Sequence, residues 1–121
     1  MTVKLVSTGV EFPDLTVQTT AAISAGEAKA WANFNGSAAT IRASLNVSSI
    51  TRNGAGDYSI NFTNAFTDQN YAISGSTQGI AGLFSINNTG GLTTTAARVA
   101  VTNSTTGAAG DATQICFAAF R

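Results

Sequence analysis

Apolar and polar residues alternate along most of this chain. In Ile41-Arg-Ala-Ser-Leu-Asn-Val-Ser48, residues Ile41, Ala43, Leu45 and Val47 fall on one side, and Arg42, Ser44, Asn46 and Ser48 on the other. A period of two is that of a β-strand with one face in a core and one in water. Tyr58-Ser-Ile-Asn-Phe62 and Ala97-Arg-Val-Ala-Val-Thr102 repeat it. Between the first two lies Thr51-Arg-Asn-Gly-Ala-Gly-Asp57, whose Asn-Gly and Gly-Asp pairs tolerate positive φ. Residues 41–62 are therefore expected to form one β-hairpin. Further strands are predicted over 28–34, 71–76, 80–86 and 113–120, separated by loops such as Asn87-Asn-Thr-Gly-Gly91 and Asn103-Ser-Thr-Thr-Gly-Ala-Ala-Gly110. Helical spacing occurs only at Ala25-Gly-Glu-Ala-Lys-Ala30, far below the roughly 12 residues at which an isolated helix becomes marginal.

Short strands at this spacing predict an all-β fold, an antiparallel β-sandwich. The chain of 121 residues has room for one such domain. It is expected to occupy residues 26–121, behind an N-terminal segment of residues 1–25. That segment carries Phe12, Leu15 and Val17, apolar side chains with little local surface to bury them, and Pro13, which has no N–H to give a central strand. Other copies of the same chain are the expected source of that burial, with Phe12, Pro13, Leu15 and Val17 at the interface. Few charges and many Ala, Ser and Thr residues also suit close packing of copies, and closed symmetry hides strand edges.

Composition removes several function classes. Charged residues are 10% of the chain, the net charge is zero, and Lys4, Lys29, Arg42, Arg52, Arg98 and Arg121 are scattered singly. Nucleic acid binding calls for clustered cations, so none is expected. Nothing approaches the roughly 18–20 consecutive apolar residues that span a bilayer, and the first residues lack the apolar core of a secretory signal. The single Cys116 excludes an internal disulfide, and its expected role is that of a small hydrophobe in or near the core. Five Asn-x-Ser/Thr triplets, at Asn35, Asn46, Asn61, Asn87 and Asn103, are what a composition rich in Asn, Ser and Thr produces by chance.

Catalytic chemistry finds little support. The chain has no His, which removes the commonest general base and transition-metal ligand. A carboxylate pair could still cleave a glycoside. Of Glu11, Asp14, Glu27, Asp57, Asp68 and Asp111, however, Asp57 and Asp68 fall beside turns, where Asp shapes the chain. No catalytic residue, metal ligand or cofactor is expected, and the protein is not expected to be an enzyme.

Several ordered blocks resemble a module of bacteriophage tail fibres. Phe12-Pro-Asp-Leu-Thr-Val-Gln-Thr-Thr-Ala21 is similar to the FPDGTVQTTA segment of such virion-fibre proteins. Ala28-Lys-Ala-Trp-Ala-Asn-Phe-Asn-Gly36, Ile41-Arg-Ala-Ser-Leu-Asn-Val-Ser-Ser-Ile50, Asn53-Gly-Ala-Gly-Asp-Tyr-Ser-Ile-Asn-Phe62 and Asn70-Tyr-Ala-Ile73 follow in the order the module has them, and the match is weakest over 77–112. Leu15 stands where the pattern has Gly, and Phe66-Thr67 where it has Met-Pro.

The resemblance implies a homotrimeric, β-rich virion appendage. It would be attached to other virion proteins through its N-terminal segment and would display the distal end. Two roles are consistent with it: a short fibre of the tail or neck touching a host-surface glycan, or a head fibre or cement protein decorating the capsid. A fibre tip that cleaves glycans is a more distant third. The few residues ahead of the module favour a compact object. Exposed aromatics and amides suit a shallow glycan site, which makes Tyr71, Asn87, Asn88 and Asn103 the candidate contacts.

Overall fold

The computed structural model describes residues 27–121 and, ahead of them, the backbone of three short strands. These are β1 (Lys4–Val6), β2 (Gly9–Glu11) and β3 (Val17–Gln18), which form a small antiparallel sheet in the order β1-β2-β3. Phe12, Pro13 and Leu15 lie outside the described residues. Val17 opens β3 opposite Glu11, and its side chain also lies outside the described part.

The described part of residues 27–121 is all β, in two four-stranded antiparallel sheets. The first has the order β5-β4-β11-β8, built from β4 (Ala28–Asn35), β5 (Thr40–Leu45), β8 (Ala72–Gln78) and β11 (Gln114–Phe120). The second has the order β6-β7-β10-β9, from β6 (Val47–Gly54), β7 (Asp57–Phe62), β9 (Gly82–Ile86) and β10 (Ala96–Asn103). Alternation decides what lies between them. Ala30, Ala32, Phe34, Ile115, Phe117 and Ala119 face inward from the first sheet, and Tyr58, Ile60, Phe62, Ala97, Val99 and Val101 from the second, all buried. Aromatic rings bridge the layers: Phe34 meets Tyr58 edge-on at 5.5 Å, and Phe62 lies 6.4 Å from Phe117. This is the antiparallel sandwich expected of strands with one dry face.

The hairpin expected over 41–62 needs correction. Asn46 has φ of 55°, and at this residue the chain leaves one sheet and enters the other. The alternating run therefore breaks into β5, which pairs with β4, and β6, which pairs with β7. Leu45 and Val47 would share a face of one continuous strand. Instead Val47 is buried and Leu45 is 49% exposed. Asn is among the few non-glycine residues that adopt this left-handed conformation at modest cost.

The hairpin that does form is β6–β7, closed by Ala55-Gly56. Its tip is fixed against β10 and the loop before β11: Val101 N–H donates to the Gly56 carbonyl at 2.7 Å, and Gly110 N–H to the Val101 carbonyl at 3.2 Å. Gly56 has φ of 65°, and a Cβ placed there would collide with the Val101 carbonyl oxygen and the Gly110 backbone. Gly54, two residues earlier, has open space around it. Gly56→Ala should destabilise the fold by about 2–3 kcal/mol in urea unfolding, because the clash is with backbone and the φ is left-handed. Gly54→Ala should change it by less than about 0.5 kcal/mol.

Candidate interaction surface

The two outward faces of the sandwich differ in chemistry. On β6-β7-β10-β9 the polar side chains satisfy one another. Asn53 Nδ2 donates to Ser59 Oγ at 2.9 Å, and Asn61 Nδ2 donates to Ser49 Oγ and Thr51 Oγ1, each at 3.0 Å. Arg98 grips Asp57 with two bonds of 2.9 and 2.7 Å. Most of this face is a hydrogen-bonded lattice, and Leu83 on β9, opposite Thr102 and 59% exposed, is an apolar side chain left bare on it.

The outer face of β5-β4-β11-β8 is different. Trp31 on β4 stands opposite Leu45 on β5 and Ala118 on β11, and they are 37% and 49% exposed in the case of Trp31 and Leu45. Phe120, at the end of β11, is 37% exposed. Ala43, Ser74 and Ser76 continue the face with small uncharged side chains. Between β8 and β11 runs a shallow groove of about 210 Å³ lined by Ser74, Gly75, Ser76, Cys116, Phe117 and Ala118. Cys116 is thus half-buried on the outer face, next to the core and not inside it.

At one end of the sandwich a cleft of about 450 Å³ opens between the start of β4, the β5–β6 crossing, the β7–β8 loop and the C-terminal residue. Lys29, Asn46, Asn64, Ala65, Phe66, Thr67 and Arg121 line it. Its wall is built by Asn46, whose Nδ2 donates to the Asn64 carbonyl at 3.1 Å while its Oδ1 accepts from Asn64 N–H at 2.7 Å. Phe66 is stacked on Phe62 at 4.6 Å and meets Tyr71 edge-on at 4.5 Å. Arg121 is clamped by Asp68 through bonds of 3.0 and 2.7 Å, which with the Asn70 N–H holds that carboxyl below the usual range.

The other two aspartates of residues 27–121 are also held by arginine. Asp57 is drawn below the ordinary carboxylate range by Arg98. Asp111 accepts from Arg52 Nη2 at 2.6 Å and Nε at 3.1 Å, from Tyr58 Oη at 2.5 Å and from Gly56 N–H at 3.0 Å. The Arg52 bonds first, then those of Tyr58 and Gly56, outweigh burial and lower it to about 2. Burial, with Asp111 beside it, pushes the Tyr58 hydroxyl far above its usual value. These carboxylates tie strands and loops together. No group of three or more metal-ligating side chains occurs among the described residues.

The four residues picked as glycan contacts are dispersed. Tyr71 is buried, and its hydroxyl donates to the carbonyls of Thr93 at 2.8 Å and Ala96 at 3.1 Å. Burial raises it to about 12, and it serves the core, not a surface site. Asn87 closes its own turn by accepting from Thr89 N–H, next to exposed Asn88. Asn103 shapes the loop at the far end of β10 by accepting from Thr105 and Thr106 N–H groups. Asn87 lies beside Arg98 and Asn103 opposite Gly82, at opposite ends of the β9–β10 pair, so they share no site. The cleft was not foreseen, since its lining comes from four separate stretches; Phe66, in a loop between strands, was the one local signal.

Comparison with protein-family models, with curated proteins and with solved structures gives no match to this chain.

Asp111 makes stability depend on pH in a defined direction. Its folded value lies below its unfolded one, so its contribution is complete above about pH 4 and is lost as pH falls through about 2. Asp111→Asn should cost about 2 kcal/mol at neutral pH, allowing for solvent at Arg52, and should flatten the fall in stability between about pH 4 and 2. Urea unfolding of both proteins across that range measures it.

Proposed function

We propose that this chain is a virion structural protein of a bacteriophage, a short homotrimeric fibre of the tail or neck. The sandwich is its displayed head, and residues 1–25 form its attachment and trimerisation segment. The observation that carries the reading is the outer face of β5-β4-β11-β8, where Trp31, Leu45 and Phe120 are left bare on a flat, small-residue surface. Lys29, two residues before Trp31, and Arg42, bonded to Asn33, are the cations beside them, and aromatic and aliphatic side chains exposed together are what interfaces between copies concentrate. The opposite face, where Asn53, Asn61 and the Arg98–Asp57 pair are hydrogen-bonded across strands, is the more polar of the two.

Apart from residues 12–21, the segments that carry the resemblance to phage fibres run from β4 to the start of β8, and β4, β5 and β8 are three of the four strands of this face. The head would meet a host-surface glycan, and the N-terminal segment other virion proteins.

Sedimentation of the purified protein should give the mass of three chains. Trp31→Ser with Leu45→Ser should weaken assembly at least tenfold, about 1.4 kcal/mol or more, while the circular dichroism of the sheets persists. Removing residues 1–20 should likewise lower trimer content and incorporation into virions. A wild-type protein that sediments as a single chain overturns the assembly. A virion reconstruction placing it over the capsid shell would move the role to decoration.

A further inference from the structure

The cleft at the end of the sandwich carries a more specific reading. Its volume of about 450 Å³ lies within the range of small-molecule sites, roughly 300–1,000 Å³. Phe66 supplies an aromatic surface whose neighbours Phe62 and Tyr71 fix its position. The Asn64 amide and the Thr67 hydroxyl border it, and among the described residues neither side chain has a hydrogen-bond partner. Asn46 holds the Asn64 backbone through two bonds, and just ahead of Thr67 the Phe66 N–H donates to the Thr94 carbonyl at 2.8 Å. A site needs little reorganisation when its polar groups are already in place.

The chemistry of this lining selects among ligands. The two cations that line the cleft are both engaged, Arg121 in a two-bond grip on Asp68 and Lys29 in a contact of its own, so the cleft offers no cluster of available cations for a phosphate. No aspartate or glutamate lines it, which argues against a metal ion. What remains is a π-face beside an amide and a hydroxyl. A pyranose ring is complementary to that combination, with polarised C–H bonds on one face and hydroxyls around its edge. Phe66 and Thr67 also stand where the fibre pattern has Met-Pro, so this part of the cleft's chemistry is this chain's own.

We propose that the cleft of Asn46, Asn64, Phe66 and Thr67 binds an uncharged saccharide, the ring lying on Phe66 and its hydroxyls bonding to Asn64 and Thr67. The proposal rests on the fibre reading only for where that saccharide is met, on a host surface. It replaces the scattered set of Tyr71, Asn87, Asn88 and Asn103 with one continuous site.

The test is titration of the ¹⁵N-labelled full chain with glucose, galactose, N-acetylglucosamine, lactose and chitobiose, with inorganic phosphate as the anion. At least one sugar should give saturable shifts of the 64–67 amides and of the Asn64 side-chain amide. Asn64→Ala and Thr67→Ala should each weaken binding about fivefold or more, as loss of one hydrogen bond does. Asn88→Ala should bind as wild type, and the spectra themselves report whether each variant is folded. Absence of shifts with every sugar, shifts confined to other loops, saturation by phosphate alone, or unchanged affinity in both cleft variants would each overturn the proposal. Sedimentation of the same samples separates the two readings. A single chain that binds sugar sinks the trimer and keeps the cleft, and a trimer that ignores sugar does the reverse.

Discussion

A single left-handed residue organises this domain. At Asn46 the chain passes from the edge of one sheet to the edge of the other without a loop. That one backbone conformation turns Leu45 out to solvent and Val47 into the core. The same side chain then reaches sideways and fixes the backbone of Asn64 with two hydrogen bonds. The bare apolar face and the rim of the cleft thus share one origin. Asn suits the position on two counts, since it tolerates positive φ and its amide both donates and accepts.

How much of this was legible in the sequence depends on the range of the physics involved. The strands were visible because alternation is a local property; β4, β7, β10 and β11 lie within a residue or two of where the pattern puts them. The 41–48 run misled because alternation continues through Asn46, and a rotation of one residue leaves the spelling unchanged. Trp31 alternates with Ala30 and Ala32, and nothing local says which set faces the core; small alanines buried while the indole stays out is a tertiary outcome. Tyr71 could not be assigned either, because its hydroxyl partners lie more than 20 residues away. The hub at Asp111 joins Arg52, Gly56 and Tyr58 across more than 50 residues of chain, a distance no sequence window spans.

The two faces of the sandwich follow from what β-strands do with their outward positions. Where Asn, Ser, Thr and an Arg–Asp pair stand opposite one another, cross-strand bonding satisfies them and the face is finished. Where Trp, Leu, Ala and Phe occupy those positions, no such closure exists and the surface remains available to another apolar surface. On the proposed fibre, that difference divides the head into a side turned to its copies and a side turned to water.

The arginine–aspartate forks have a consequence for how the molecule behaves at a distance. Arg52, Arg98 and Arg121 each have an aspartate within 2.7 Å, so each charge is cancelled at its source. Beyond a few ångströms, these pairs act as small dipoles whose fields fade faster than those of isolated ions and are further screened by salt. These three arginines therefore contribute little to long-range steering of an encounter, whereas Arg42, which bonds the neutral oxygens of Asn33 and Thr113, keeps its charge. On the proposed fibre, those three cations would hold strands and loops together while adding almost nothing to the field that a displayed head projects into the surrounding water.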